Sequence, residues 1–385
     1  MEIFMTRTER EQGRQRRFSS YYDYSLMFLT IFLVCFGLIM IYSTSSYNAS
    51  RHFNDPAYYL KRQGIFAIAG LIFMIIVSKI DYRIYIKKFP IIRVKPVTML
   101  MILCVLLQVA VLIFAAATKG SKRWLELGPI RFQPSELSKI AVILFTAYIV
   151  NMAPRRMDKI WGFIRVLIYV MPVIALVVYA DLSTGLVMVA IMFGVSFVSS
   201  RKKLYFIVVG LIGVALIAAV AVVAVSYRAE RFEAWLNLET HDKGFQILQG
   251  IYAISSGGIF GRGLGESMQK LGFIPESHND MIFTVVCEEL GLIGAAAVII
   301  LFILMIWRLF IISINAPDLY GALITTGILI HISVQAILNI AVVTNSIPAT
   351  GIPLPFISYG GSSLMVLLLE LGIALSVSNQ IKYER

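Results

Sequence analysis

Apolar runs long enough to cross a lipid bilayer recur ten times in this sequence, at 24–45, 63–79, 97–117, 135–152, 161–179, 183–199, 204–226, 281–306, 319–344 and 358–379. The hydrocarbon core of a bilayer is spanned by roughly 20 residues of helix. Inside it the chain satisfies its peptide groups only as a helix or a closed barrel. Runs of this length and number predict an all-α polytopic membrane protein of about ten spans. The composition agrees: 58% of the residues are hydrophobic and 15% charged, too little polar surface for a water-soluble domain of this size. Met171-Pro172 and the tight Asp181-Leu182-Ser183 turn interrupt the 161–199 region, where two short spans must be separated.

Charge then orients the spans. Arg7, Arg10, Arg14, Arg16 and Arg17 precede a full-length first span. Residues 1–23 therefore read as a cytoplasmic tail before an uncleaved helix, not as a signal peptide. Lys79, Arg83, Lys87, Lys88, Arg93 and Lys95 share one loop, Arg155, Arg156 and Lys159 a second, and Arg201-Lys202-Lys203 a third. With ten spans these loops fall on the side of the tail, as do Arg308, Lys382 and Arg385. The positive-inside rule makes that side cytoplasmic. The expected organisation is a cytoplasmic tail (1–23), one membrane domain (24–379) and a cytoplasmic end (380–385). The net charge of +12 is mostly this topology signal and implies contact with anionic lipid headgroups; no motif supports nucleic-acid binding. Cys35, Cys104 and Cys287 lie in apolar runs without ligand spacing, so neither a disulfide framework nor a zinc site is indicated.

The one long polar connection, 227–280, falls on the outer face. Trp235, Phe245, Ile247, Leu248, Ile251, Tyr252 and Ile254 make part of it amphipathic, suited to lie on or dip into the membrane surface. It ends in Pro275-Glu276-Ser277-His278-Asn279-Asp280, which dives into an apolar run carrying Glu288-Glu289-Leu290-Gly291. A charge at mid-membrane costs at least about 2.5–3.5 kcal/mol, so these groups require partners or a task. With a helix starting near Met281, Asp280 sits at its mouth and Glu288 two turns deeper on the same face, which suggests a water-accessible cavity. Ser277-x-x-Asp280 is equally the pattern of a capped helix start, and Glu288 and Glu289 equally suit bonds between helices.

A second outer loop runs from Lys119 through Arg123-Trp124 and Arg131 to Pro134-Ser135-Glu136-Leu137-Ser138-Lys139. Pro134 fits the first turn of a helix, Glu136 its electropositive end, and Lys139 can pair with Glu136 three residues away. Arg123, Arg131 and Lys139 place cations opposite the positive-inside face, as a phosphate-bearing ligand would require; an interfacial loop with snorkelling lysines is the plainer explanation. Gly261-x-Gly263-x-Gly265 follows no βαβ unit and reads as a flexible turn rather than a nucleotide loop. His331, Gln335 and Asn339 recur at four-residue spacing as a polar stripe, suited to helix–helix hydrogen bonding. The Pro- and Gly-rich 345–363 stretch implies irregular backbone, tolerated at membrane depth only when shielded by protein or lining a cavity. Asp181 either caps the sixth span or faces the same outer cavity.

In order along the chain stand Tyr58-Tyr59-Leu60-Lys61-Arg62-Gln63, Arg123-Trp124-Leu125, Gln133-Pro134-Ser135-Glu136-Leu137-Ser138-Lys139, Gly263-Leu264-Gly265, Pro275-Glu276-x-His278-x-Asp280, Glu288-Glu289-Leu290-Gly291 and Gly351-Ile352-Pro353-Leu354-Pro355-Phe356-Ile357-Ser358-Tyr359-Gly360-Gly361-Ser362-Ser363. The ordered set resembles the SEDS family of shape, elongation, division and sporulation proteins over nearly the whole chain. Gly265-x-Ser267-x-Gln269-Lys270 is more similar to the FtsW/SpoVE branch than to the RodA branch.

The resemblance implies a ten-helix peptidoglycan glycosyltransferase of the bacterial cytoplasmic membrane that polymerises lipid II into glycan strands on its outer face. It implies a class B penicillin-binding transpeptidase as partner. Asp280 takes the place of the family's essential outer-loop aspartate and is the expected general base. Arg123, Trp124, Glu136 and Lys139 match the family's sensitive loop-and-helix motif. With Arg131, Asp181, Glu276, His278 and Ser358 they make up the expected substrate-binding set. Asn279 stands where threonine is common, and Ala180-Asp181-Leu182-Ser183 replaces the usual Pro-Asp-Leu-Gly, which leaves the role of Asp181 open. No cofactor is obligatory; a divalent cation could assist at the pyrophosphate, though no conventional ligand cluster is present. A lipid II transporter and a scaffold without chemistry of its own are the alternatives.

Overall fold

In the computed structural model the described residues are 18–88, 94–114, 123–127, 130–223, 233–239 and 244–384. The long helices are α1 (Tyr24–Phe53), α2 (Tyr58–Ser78), α3 (Pro96–Phe114), α4 (Pro134–Met152), α5 (Ile160–Ala180), α6 (Leu182–Ser199), α7 (Lys203–Val223), α8 (Phe245–Gly257), α9 (Ile282–Ile314), α10 (Leu319–Val343) and α11 (Gly361–Asn379). Among the described residues nine of them are long and apolar enough to cross a membrane. The tenth expected span is α7, a helix of 21 residues. Membrane-spanning helices therefore stand where the apolar runs place them, with ends displaced by a few residues.

The largest displacements are at α9, which runs past 306 to Ile314, and at α1, which continues past residue 45 to Phe53. Its polar turn stays helical because the hydroxyls bond back to the helix: Thr44 Oγ1 donates to Met40 O at 2.8 Å and Ser45 Oγ to Ile41 O at 2.6 Å. Asn54, at φ 54°, ends it in the left-handed conformation. At the other end, α11 begins at Gly361 rather than at 358, since Ser358-Tyr359-Gly360 belong to the irregular segment before it.

Two helices form the centre of the bundle. In α4 78% and in α11 72% of the most apolar window is buried, against 22% in α2 and 28% in α3. Central position accounts for the lower apolarity of α4, because its neighbours rather than lipid receive its polar side chains. Short strands close the chain on itself: β1 (Phe18–Ser20) pairs antiparallel with β4 (Lys382–Glu384). At the same end Arg308 binds Asp23 at 2.7 Å, and Arg83 binds Asp318 at 2.7 Å. A hairpin of β2 (Leu125–Leu127) and β3 (Ile130–Phe132) leads into α4 at the opposite end.

One span is broken. Within α9, Gly291 has φ 67° and ψ −167°, a conformation open essentially to glycine. Its break frees four backbone groups, and the 258–263 segment takes all of them. Arg262 N donates to Glu288 O and Gly263 N to Glu289 O, both at 3.0 Å. In return Leu292 N donates to Gly258 O at 2.9 Å and Ile293 N to Ile259 O at 3.2 Å. The glycine-rich segment is thus a fixed patch on a broken helix and not the flexible turn expected. A Cβ on Gly261 would stand 2.2 Å from Glu289 O, so glycine is required for the approach.

Part of the amphipathic stretch is helical. Residues 245–257 form α8, which buries Ile247, Gly250, Ala253 and Gly257. Gly250 lies over Met281 and Thr284, and Gly257 over the backbone of Cys287. One face of α8 therefore packs on α9, while Phe245 and Tyr252 stand about half exposed away from it. Trp235 Nε1 donates to Asn345 O at 2.9 Å and ties the preceding loop to the end of α10.

Candidate active site

The segment 350–360 organises the outer end of the bundle. It forms no helix or strand, so its peptide groups need partners from elsewhere. Side chains supply them nearly one by one. Ser183 Oγ donates to Thr350 O at 2.8 Å. Asn339 Nδ2 donates to Ile352 O at 2.8 Å, and Gln335 Nε2 to Pro353 O at 3.0 Å. Leu354 N donates to Ser358 Oγ at 2.8 Å, Gln63 Nε2 to Ser358 O at 3.4 Å, and Gly360 N to Gln63 Oε1 at 3.1 Å. Tyr359 N donates to His278 O at 2.9 Å. The predicted irregular backbone is present and shielded by protein.

Asp280 lies against this segment, partly exposed, in the turn before α9. Asn339 Nδ2, which holds Ile352 O, also donates to Asp280 O at 2.7 Å. Asp280 Oδ2 stands 3.6 Å from where a Cβ on Gly351 would be. Gly351 has φ 71°, so the residue facing the carboxylate carries no side chain to cover it. The capping alternative does not hold. The first residue before α9 is Met281, without a side-chain cap, and Ser277 Oγ donates to Thr44 O on α1 at 3.2 Å.

The neighbouring expected residues have structural partners. Glu276 sits at φ 51°, exposed, and its Oε2 accepts from Asn279 Nδ2 at 3.0 Å. His278 is buried, its ring centroid 4.4 Å from that of Tyr59 and 5.5 Å from that of Tyr359. Ser358 is expected at the substrate, but its hydroxyl folds its own segment through Leu354 N.

Two of the three expected cations, Arg123 and Lys139, are ion-paired with acids of the same region. Arg123 Nη1 binds Asp181 Oδ2 at 3.2 Å, with the arginine side chain 32% exposed. Lys139 Nζ binds Glu136 Oε2 at 3.0 Å, both buried in α4. Asp181 caps α6, accepting from Ser183 N at 3.1 Å, and it also pairs with Arg123. Trp124 is half-buried beside Arg123. The backbone of Arg131 pairs with Glu126 across the hairpin, and its side chain lies outside the described residues.

Glu288 and Glu289 do not line a cavity below Asp280, because α9 turns them toward the 258–271 loop. Glu288 accepts from Ser267 Oγ at 2.5 Å and Met268 N at 3.1 Å. Glu289 binds Lys270 at 2.8 Å and accepts from Ser43 Oγ at 2.7 Å. A cavity of about 680 Å³ between α1 and this loop, lined by Tyr42, Ser43, Tyr47 and Lys270 among others, includes none of the expected site residues. No group of three or more His, Cys, Asp or Glu able to hold a metal occurs among the described residues.

The α10 stripe joins the parts. Asn339 reaches Asp280, and one turn below it Gln335 Oε1 lies 3.4 Å from Lys139 Nζ. His331, a further turn down, contacts Gln335 at 2.8 Å and Glu370 of α11 at 2.7 Å. Glu370 was not among the expected site residues, although a lone acid among leucines at membrane depth is itself a signal; its partner is what the sequence does not show. Gln63 and Ser183 stand within the motifs named above, but their roles were not legible, since their partners lie far along the chain.

Comparison with known proteins places this arrangement. The model of a family described as Cell cycle protein, covering FtsW, RodA and SpoVE, matches residues 24–383. The chain is 38% identical to Stage V sporulation protein E of Bacillus subtilis (strain 168), over 94% of this chain and 98% of that protein. It is 36% identical to the probable peptidoglycan glycosyltransferase FtsW of Geobacter sulfurreducens (strain DL-1 / KN400), over 94% and 96%. Its fold is similar to the rod shape determining protein RodA of Thermus thermophilus, with TM-score 0.69 and 26% identity over 94% and 97% of the two chains. A chain from a peptidoglycan synthase complex, solved for the structural coordination of polymerization and crosslinking, matches with TM-score 0.76 and 28% identity over 94% and 98%. The chain is a multi-pass membrane protein and belongs to the FtsW/RodA/SpoVE family of cell cycle proteins, the SEDS family.

Proposed function

We propose that this protein is a peptidoglycan glycosyltransferase that polymerises lipid II on the outer face of the cytoplasmic membrane, in cell division or sporulation. Membership of the family and the names of its relatives support the activity. The observation that carries the site is the α10 stripe, which sets Asp280 and the Glu136–Lys139 pair one helical turn apart against a single irregular segment.

In this reading Asp280 is the general base for the 4-hydroxyl of the acceptor GlcNAc. The acceptor oxygen bonds to the MurNAc anomeric carbon as the bond to undecaprenyl pyrophosphate breaks. The proton passes to Asp280 and the electron pair leaves with the diphosphate. A single displacement converts the α-linked donor to a β-linked polymer, so no second nucleophilic carboxylate is needed. Arg123, a third exposed, is a cation that the diphosphate can reach, by exchanging Asp181 for a phosphate oxygen. Lys139 acts from within the wall, where its pair with Glu136 and contact with Gln335 fix its position. Arg131, Trp124, Glu276, His278 and Ser358 complete the proposed substrate surroundings, the last two by shaping the segments that flank Asp280. A class B penicillin-binding transpeptidase is the proposed partner, supported by the likeness to a chain of a peptidoglycan synthase complex.

The test is polymerisation of lipid II by purified wild-type and Asp280→Asn protein, each with its cognate transpeptidase in detergent. Glycan strands from wild type alone are expected. Strands from both would refute the role of Asp280, and strands from neither would turn attention to lipid II transport or to scaffolding, which a flipping assay separates.

A further inference from the structure

Glu370 is buried at the middle of α11, a place where an acid without a partner is costly. The hydrogen-bond pattern around it fixes the donor and acceptor roles of its neighbours. Gln335 Nε2 lies 3.0 Å from Pro353 O, and a carbonyl only accepts, so the amide must present its NH₂ group there. Gln335 Oε1 consequently faces His331 Nε2 at 2.8 Å and Lys139 Nζ at 3.4 Å. His331 therefore carries its proton on Nε2. His331 Nδ1 and Glu370 Oε2 are 2.7 Å apart, and two lone pairs do not approach so closely, so one more proton lies between them. Glu370 thereby sets the protonation of the ring, the ring sets the orientation of the Gln335 amide, and the amide holds both Lys139 and Pro353.

We propose that Glu370, His331 and Gln335 are positioning residues: a clamp at membrane depth that keeps the 351–359 segment, and with it Gly351 beside Asp280, in register with Lys139. The clamp is a property of the fold, while its effect on turnover rests on the glycosyltransferase reading. It explains why the central helix α11 retains an acid amid leucines, and why the stripe on α10 extends one turn deeper than either Asp280 or Lys139 requires.

The test uses the full-length protein with its transpeptidase partner and two readouts: hydrogen exchange of the 351–359 peptide, and kcat and KM for lipid II polymerisation. Glu370→Leu keeps the helix apolar but removes the partner of Nδ1, so His331 can adopt the other tautomer and release the amide. Exchange of the segment is expected to accelerate about 10-fold and kcat to fall by about the same factor, with KM little changed. Glu370→Gln donates to Nδ1 and preserves the Nε2–H tautomer, so it is expected to recover most of both losses. Gln335→Met, which removes the amide itself, is expected to behave like Glu370→Leu. Wild-type exchange in Glu370→Leu and Gln335→Met would overturn the proposal. So would damage by Glu370→Gln equal to that by Glu370→Leu, which would assign the role to charge rather than to the tautomer. If the wild type makes no strands, the glycosyltransferase reading falls while the exchange measurements still decide the clamp.

Discussion

Replacing Gly291 by alanine tests the broken helix and its patch together. In the observed state alanine would occupy φ 67°, ψ −167°, at a strain of about 1–3 kcal/mol. Its Cβ would also stand 2.3 Å from Gly261 N and 2.5 Å from Ile259 O, both backbone atoms that cannot step aside. A healed helix is the ready alternative, in which Leu292 N and Ile293 N return to Glu288 O and Glu289 O. Alanine favours that helix over glycine by about 1 kcal/mol. Together these effects shift the balance between patched and healed states by roughly 2–4 kcal/mol, or about 30- to 1,000-fold. The assay is hydrogen exchange at Arg262 and Gly263, whose amides lose their acceptors in the healed state. Gly265→Ala is the control, because Gly265 has φ 88° and open space around its Cβ position, giving strain without collision. Protection at Arg262 and Gly263 unchanged in Gly291→Ala would refute the account of the patch.

Three further outcomes are expected. Asn339→Ala leaves Asp280 O and Ile352 O without their shared donor, at about 1–3 kcal/mol each; kcat for lipid II polymerisation should fall by at least about tenfold, with the protein still folded in detergent. Lys270→Met strands Glu289 in a buried site and should destabilise by about 3–5 kcal/mol, while the double variant Lys270→Met/Glu289→Met recovers most of the loss in thermal unfolding. Burial raises the Asp318 carboxyl, but the Gly321 amide, Arg83 and Tyr82 outweigh it and hold the group below its ordinary value. A depressed carboxyl contributes stability above its unfolded value that is lost as pH falls through the folded one, below about pH 4. Asp318→Asn should therefore flatten the acid limb of stability against pH, as read by thermal unfolding between pH 3 and 6.

Spans were legible because lipid imposes one rule on every one of them, and that rule is local: enough consecutive apolar residues. Pro134 at the start of α4 and the Glu136–Lys139 pair were legible for the same reason, since their partners lie within one turn. Asp181 and Arg123 are 58 residues apart and meet only because α5 turns into α6 beside the hairpin, so their mutual neutralisation left no trace in the sequence. Glu288 misled for a related reason. Helical periodicity places it beneath Asp280, but the turn before α9 breaks that phase, and Ser267 and Met268 of the loop following the glycine patch claim the carboxylate. The partner of Glu370 was the least visible of all, because only the packing of α11 on α10 gives it a histidine.

The pairing of Phe18 with Glu384 and of Ser20 with Lys382 has a consequence for the entire topology. Two strands can hydrogen-bond only in one compartment, so the number of membrane crossings between them must be even. The nine helices long and apolar enough to cross among the described residues are an odd number, and α7 is the helix left to make it even. Parity, enforced by a ladder of three residues on each side, thus constrains every insertion that the chain makes. Losing or gaining any single crossing would carry the two ends to opposite compartments and part the strands.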